Sequence, residues 1–299
     1  MPSVELAVTI TCCGNRRQEQ NLVKKSQGFN WGAGAVSTAL YQGVPLMHIL
    51  SLCGINATIA NINSLFLCAD GADELPKGIY GTSVPLARAL DPCGDVLLAY
   101  RMNGQPLTPD HGFPLRLVMP GFVGGRMVKW LNRLTIQDSE STSWYHLHDN
   151  RVLPPPPLGP ASGEEAAAGN WWTRPEYIIN ERNVNSVISH PGHKDTIPLR
   201  NAEGPVQLQG YAYSGGGRQI TRVEITLDDG LEWLDVQNIR YDFAPRHGCK
   251  YWCWFLWEFS IPLSKLVAAK DICVRAWDSA LNTQPKDITW NLLGMMSNS

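Results

Sequence analysis

The sequence predicts two folded parts: an α+β domain over residues 1–165, then an all-β sandwich of immunoglobulin type over residues 171–299. Three observations carry that expectation. Val4, Leu6, Val8 and Ile10 alternate with Glu5, Ala7, Thr9 and Thr11, the period-two signature of a half-buried strand. Residues 154–169, PPPPLGPASGEEAAAG, hold almost no large apolar side chains, and a proline run favours an extended connector or a surface loop. Beyond it, short strand-like runs bounded by turn residues recur roughly seven times in about 125 residues, the density of such a sandwich.

Taken in order, residues 34–41 are expected to form a helix after a glycine-rich turn, and 96–100 and 115–119 to form strands. This mixture reads as α+β rather than repeating βαβ units. After the connector, residues 206–213, 222–227, 251–259 and 271–277 read as strands. In VEITLDDGLEW, Asp229-Gly230 lies between two strand-like runs, a strong hairpin signal. SGGGR (residues 214–218) is expected to be a tight hairpin turn rather than a phosphate nest. Tyr251, Trp252, Trp254, Phe255, Trp257 and Phe259 should fill the sandwich core and its dimer face, a carbohydrate platform being the lesser alternative.

Composition excludes several classes of function. The chain has 299 residues, 44% of them hydrophobic, and a formal charge of -2. No Lys/Arg run exceeds two residues, so there is neither a nucleic-acid stripe nor a polybasic membrane patch. Unbroken apolar stretches fall far below the roughly 18 residues a membrane span needs, and MPSVELAVTITCC lacks the pattern of a signal peptide. Eight scattered cysteines, with no CxxC pair, point to a reduced, cytoplasmic protein.

Chemistry concentrates in the first part. TCCGNRRQEQN ends a strand in cysteine and continues through Gly-Asn-Arg-Arg, placing a thiol at a sharp turn beside two guanidinium groups. Such surroundings suit a soft-metal ligand or a nucleophile, and a buried structural cysteine is an equal alternative. Trp31 follows in GFNWGAGAVSTALYQGVPL, where alone it reads as core. PDHGFPLRLVMPGFVGGRMVKW offers His111, Arg116, Arg126 and Lys129 among glycines, which suits a bound phosphate, against the alternative of a solvated basic face. His146 and His148 flank Leu147, and alternate strand positions could present both to one ligand, although ordinary polar positions at a pocket edge are the simpler reading.

Together these strings resemble the sulfite oxidase and nitrate reductase family of molybdenum enzymes. CCGNRRQEQN, GFNWGAGAVST, YGTSVPLARALDP, PGFVGGRMVKWL, YHLHDNRVLP, PEYIINERNVNSVI and NTQPKDITWNLLGMM match in order over essentially the whole chain. The resemblance implies a sulfite oxidase-like molybdopterin-binding domain followed by an immunoglobulin-like dimerisation domain. It makes Cys12 the protein ligand to molybdenum, with Arg17, Trp31 and Asn150 lining the substrate pocket. Cys13, at the usual alanine position, becomes a variant neighbour whose replacement is expected to matter little. His111, Arg116 and Lys129, with Asp73 and Glu74 beside them, would hold the pterin and its phosphate.

Two positions separate the branches. Asn150 stands where sulfite oxidases carry a pocket tyrosine, and Leu293 where they carry an arginine; both favour the eukaryotic, fungal-type assimilatory nitrate reductase branch. Leu293 also departs from the methionine usual in that branch. A singly charged anion needs one cation fewer than sulfite, which is mostly a dianion near neutral pH. The implied chemistry is oxygen-atom transfer from nitrate, with electrons from a cytochrome b5-type haem domain. Haem and FAD, the route from NAD(P)H, and an arginine preceding the Cys12 strand are expected outside these 299 residues, so the chain reads as a catalytic fragment that dimerises through its C-terminal part. A sulfite oxidase-like enzyme and a catalytically silent dimerising paralogue are the alternatives.

Overall fold

The structure is a computed structural model that describes residues 2–197 and 204–299. Two compact units divide it: residues 1–182 with 289–297, and residues 183–288 with 298–299.

The first unit runs β1 (Val4–Thr11), α1 (Arg17–Val23), β2 (Val36–Pro45), α2 (Leu46–Leu52), β3 (Phe66–Leu75), β4 (Gly78–Pro85), α3 (Leu86–Ala89), β5 (Leu97–Met102), β6 (Gln105–Pro106), β7 (Arg116–Val118), β8 (Leu131–Gln137), α4 (Trp144–His148) and α5 (Gly163–Ala168). Its strands form two antiparallel sheets: β1-β2-β5-β6 with β7 also paired to β5, and β4-β3-β8. On β1, Leu6 and Val8 are buried and Glu5 is exposed, as the alternation requires, but Thr9 and Thr11 are buried as well, so the alternation holds over the first half of the strand only. Each such aliphatic side chain contributes roughly 1.5–3 kcal/mol on burial.

The helix expected at 34–41 is instead β2. Its register with β1 runs unbroken from Val4↔Gly43 to Thr11↔Val36. β-branched Val36 and Thr38 suit a pleated surface, and pairing satisfies the backbone groups β1 would otherwise leave open, so the long-range ladder overrides the local helical pattern.

Two apolar cores fill this unit. One gathers Leu6, Val8, Leu67, Leu97 and Val118 beneath the sheets. The other joins Val123, Leu153, Ala166 and Trp172 to Trp290, Leu292, Leu293 and Met295 from the returning segment 289–297. The proline-rich stretch at 154–169 contributes Ala166 to this second core. It packs within the first unit, where Ser162 caps α5 by accepting from Glu165 N (3.2 Å) and Ala166 is fully buried. The division between the two compact units falls at 182/183.

The described residues of the second unit form seven strands: β9 (Asn185–His190), β10 (Val206–Tyr213), β11 (Ile220–Thr226), β12 (Leu234–Asp235), β13 (Asn238–Arg240), β14 (Phe255–Ile261) and, after α6 (Leu263–Ala268), β15 (Cys273–Asp278). Two antiparallel sheets result, β13-β14-β10-β9 and β12-β11-β15. Phe255, Trp257, Leu208 and Val223 form their core. Asp229 (φ 60) and Gly230 (φ 82) turn the chain between β11 and β12, as the sequence signal required. Residues 214–218 do not make a hairpin, because β10 and β11 belong to different sheets. Their path is fixed by buried Asp278, which accepts from Ser214 Oγ (2.8 Å) and Arg218 Nε (2.9 Å).

Candidate functional site

β1 ends where the Cys12 turn begins. Cys12 N donates to Ala35 O (2.9 Å) and Asn15 N to Cys12 O (3.1 Å), while Asn15 Oδ1 accepts from Ala35 N (3.0 Å). Gly14 N–H donates to Cys12 Sγ (3.3 Å). Arg16 takes up φ 64 at the start of α1 and binds Glu19 through both Nε (2.8 Å) and Nη2 (2.6 Å). The turn sends adjacent thiols opposite ways: Cys12 is exposed and Cys13 is buried.

Arg17 is 3% exposed. Its Nε donates to Leu293 O (2.9 Å) and Gly294 O (3.1 Å), Nη1 to Phe29 O (2.7 Å), and Nη2 to Met295 Sδ (3.3 Å). Among the described residues this leaves one N–H on each Nη for a ligand. Burial lowers the Arg17 pKa, and the nearby charges of Cys12 and Asp149 oppose that. Gly294 (φ 61) is required here, because a methyl group at that position would meet Arg17 and Ser26. Trp31 is 41% exposed, pairs with Phe29 at 5.5 Å, and accepts from Gln18 N through its carbonyl (3.0 Å). Cys12, Arg17 and Trp31 thus belong to one neighbourhood.

Asn150 is buried behind that turn. Its Oδ1 accepts from Cys13 Sγ (3.5 Å) and its Nδ2 donates to Tyr145 O (3.1 Å), while the nearby Tyr80 hydroxyl donates to Gly125 O (2.7 Å). Burial, followed by the Cys12 charge, pushes the Cys13 thiol up to about 12, so it stays protonated as a donor. Asp149 is likewise held above the ordinary carboxylate value by burial, against the pull of Arg17.

Beneath Asn150 lies a charged network that sequence reasoning did not assemble. Arg126, expected among the phosphate-facing cations, is fully buried. Its Nε donates to Ile179 O (2.8 Å) and its Nη1 to Thr82 Oγ1 and His146 Nδ1 (2.8 Å). Burial brings its pKa down to about 10. His146 and His148 lie on α4, not on a strand, and only His146 enters the interior, at 0% exposure. Ser83 N–H also points at His146 Nδ1 (3.4 Å), so Nδ1 accepts and Nε2–H faces Glu140 Oε2 (3.3 Å). Burial depresses the His146 pKa, keeping the ring neutral. Glu140 also binds Arg151 Nη2 (2.9 Å). Tyr80, Thr82, Ser83, Glu140 and Arg151 come from separated segments whose spacing gives no sign that they meet. His148 stays outside and stacks on Trp144 at 5.1 Å.

A second cluster is cationic. Arg116 Nη1 donates to His111 O (3.2 Å) and Nη2 to Met127 O (3.4 Å), and its charge bears on Lys129. Lys129 Nζ donates to Asp110 O (2.9 Å) and lies over Trp130 at 4.2 Å; its pKa is lowered by burial first and by Arg116 second, with Asp73 pulling the other way. His111 is exposed, its Nδ1 2.6 Å from Thr108 Oγ1. Glu74 is not gathered in: it is exposed in the β3–β4 ladder opposite Ile79, with no hydrogen bond or ion pair to these cations among the described residues. The segment between β7 and β8 joins the clusters in sequence, since Gly124 lies against Thr11 O and Lys129 follows five residues later.

The residues fit an anionic cofactor. Arg116 Nε is buried and has no partner among the described residues, a donor awaiting an acceptor. No group of three or more His, Cys, Asp or Glu that could hold a metal ion occurs among the described residues. A separate cleft of about 680 Å³, lined by Arg88, Phe122, Tyr177 and Asn180 among others, includes none of the expected site residues.

Comparison with known proteins agrees with this arrangement. Residues 1–145 match the family described as "Oxidoreductase molybdopterin binding domain", and residues 176–299 the "Mo-co oxidoreductase dimerisation domain". The NADH nitrate reductases of Cichorium intybus and Petunia hybrida are 50% and 51% identical over 302 residues, covering 99% of this chain and 32% of theirs. The NAD(P)H nitrate reductase of Hordeum vulgare is 50% identical over 301 residues, 99% of this chain and 33% of that protein. The chain therefore spans about a third of the length of the curated relatives it matches. The crystal structure of the sulfane dehydrogenase SoxCD from Paracoccus pantotrophus superposes with a TM-score of 0.74 at 27% identity, covering 100% of this chain and 68% of that one. The two consecutive matches make residues 1–145 an oxidoreductase molybdopterin-binding domain and residues 176–299 the dimerisation domain that accompanies it, on a sulfite oxidase-like fold.

Proposed function

We propose that this chain forms the molybdenum-pterin and dimerisation domains of an enzyme that reduces nitrate to nitrite. The observation that carries the reading is the exposed Cys12 thiol, whose charge bears on the buried Arg17 guanidinium, in a chain about half identical to nitrate reductases. Bound there, the molybdenum-pterin group supplies two-electron oxygen-atom transfer, NO3− + 2e− + 2H+ giving NO2− + H2O. Cys12 gives the metal its protein ligand. Arg17, with one N–H on each Nη still free, offers a planar pair of donors to a flat monoanion. Trp31 walls the pocket. His111, Arg116 and Lys129 hold the pterin phosphate, with Asp73 beside them and Glu74 at the periphery. Asn150 shapes the pocket from behind, because its amide is engaged by Cys13 and Tyr145.

Nitrate is favoured over sulfite because Asn150 is neutral and the Leu293 side chain is buried in an apolar core, so neither adds the extra cation a dianion needs. Electrons arrive one at a time from a cytochrome b5-type haem partner, and two chains pair through residues 176–299 in the cytoplasm. No helix among the described residues is long and apolar enough to cross a membrane. The test is expression in a host that makes the molybdenum cofactor, followed by metal and pterin analysis per chain and nitrite formation with a reduced viologen dye. Bound molybdenum with nitrite production supports the reading; oxidation of sulfite instead, or metal without turnover, defeats it.

A further inference from the structure

Cys13 is not an inert neighbour of Cys12. The two residues share a peptide bond but face opposite ways, and the buried thiol of Cys13 donates to Asn150 Oδ1 at 3.5 Å. The direction of that bond decides how the amide is turned. A thiol is a usable donor and a poor acceptor, while Tyr145 O, 3.1 Å from Asn150 Nδ2, can only accept. Turning the amide over would set an NH2 group against the S–H and a carbonyl against a carbonyl, so both contacts oppose the flip. Gly125 closes off the remaining side, since even a methyl group there would collide with Asn150 Oδ1. The backbone of Cys13 is fastened as well, its carbonyl accepting from Met296 N at 2.7 Å.

We propose that Cys13 is a positioning residue for the nitrate site: its thiol holds the Asn150 amide in one orientation. This rests on the proposed nitrate-reducing function. A single net hydrogen bond sets the scale. Cys13→Ala should raise the KM for nitrate roughly three- to tenfold, equivalent to about 0.7–1.4 kcal/mol at 1.4 kcal/mol per factor of ten, with less change in kcat.

The experiment compares wild type, Cys13→Ala, Cys13→Ser, Asn150→Ala and the Cys13→Ala/Asn150→Ala double variant. All are produced in the cofactor-competent host and assayed with reduced viologen. The expected result is a raised KM in Cys13→Ala at unchanged molybdenum per chain, recovery in Cys13→Ser, and no added effect of Cys13→Ala once Asn150 is alanine. A second readout needs neither metal nor turnover. The S–H infrared band that disappears in Cys13→Ala should lie at lower frequency in wild type than in Asn150→Ala, because a hydrogen bond softens the stretch. Wild-type KM in Cys13→Ala, independent effects in the double variant, or an S–H band unmoved by Asn150→Ala would each overturn the proposal. Protein that carries no molybdenum or reduces no nitrate defeats the underlying function instead, and the band still decides the thiol–amide bond.

Discussion

Gly125→Ala introduces one methyl group where it would collide with Asn150 Oδ1. Gly125 has no left-handed backbone to protect, so the perturbation is steric. The amide cannot retreat without losing the bond from Cys13 Sγ or the bond to Tyr145 O. Overpacking costs about 1–3 kcal/mol, and each lost hydrogen bond adds about 0.5–1.5 kcal/mol, so the first unit should lose roughly 2–4 kcal/mol. For a unit of this size that is a fall in Tm of about 4–16 °C by calorimetry. The double variant Gly125→Ala/Asn150→Ala removes the obstructing oxygen and should be less destabilised than the two single effects added together, by about 1 kcal/mol or more. Strict additivity, or a Gly125→Ala protein as stable as wild type, would refute the packing argument.

Cys12→Ser should abolish bound molybdenum and activity while shifting Tm by less than about 2 °C, because the thiol is exposed and makes no core contact; metal analysis beside calorimetry checks both. Arg17→Lys keeps the charge but cannot reach Leu293 O, Gly294 O and Phe29 O together, so segment 293–295 should loosen, seen as faster amide exchange there, and the KM for nitrate should rise about tenfold or more. Acid sensitivity should follow Glu140. Burial raises its pKa, but the hydrogen bond from His146 and the Arg151 charge outweigh that and leave it below the ordinary 4.5. A depressed carboxylate stabilises the fold above its unfolded value and loses that contribution as pH falls, so the Tm gap between wild type and Glu140→Gln should hold above pH 4.5 and shrink below it.

How far the sequence reached depends on the range of the forces involved. Local patterning determined much on its own: the alternation in the first half of β1, the Asp229-Gly230 turn and the strand density of the second unit all appear in the structure, because each is set by neighbours two to ten residues apart. The ordered motifs also nominated Cys12, Arg17, Trp31, His111, Arg116 and Lys129 as site residues. Only the tertiary structure decided the rest. It turned residues 36–45 into a strand because β1 needed a partner, and it absorbed the proline-rich stretch into a core completed by residues 289–297. It also withdrew Arg126 from the surface into a network with His146, and gave Cys13 a bond to a residue 137 positions away. Such contacts are chosen by burial and by the need to satisfy polar groups out of water, and no spacing along the chain records which distant partner will do so.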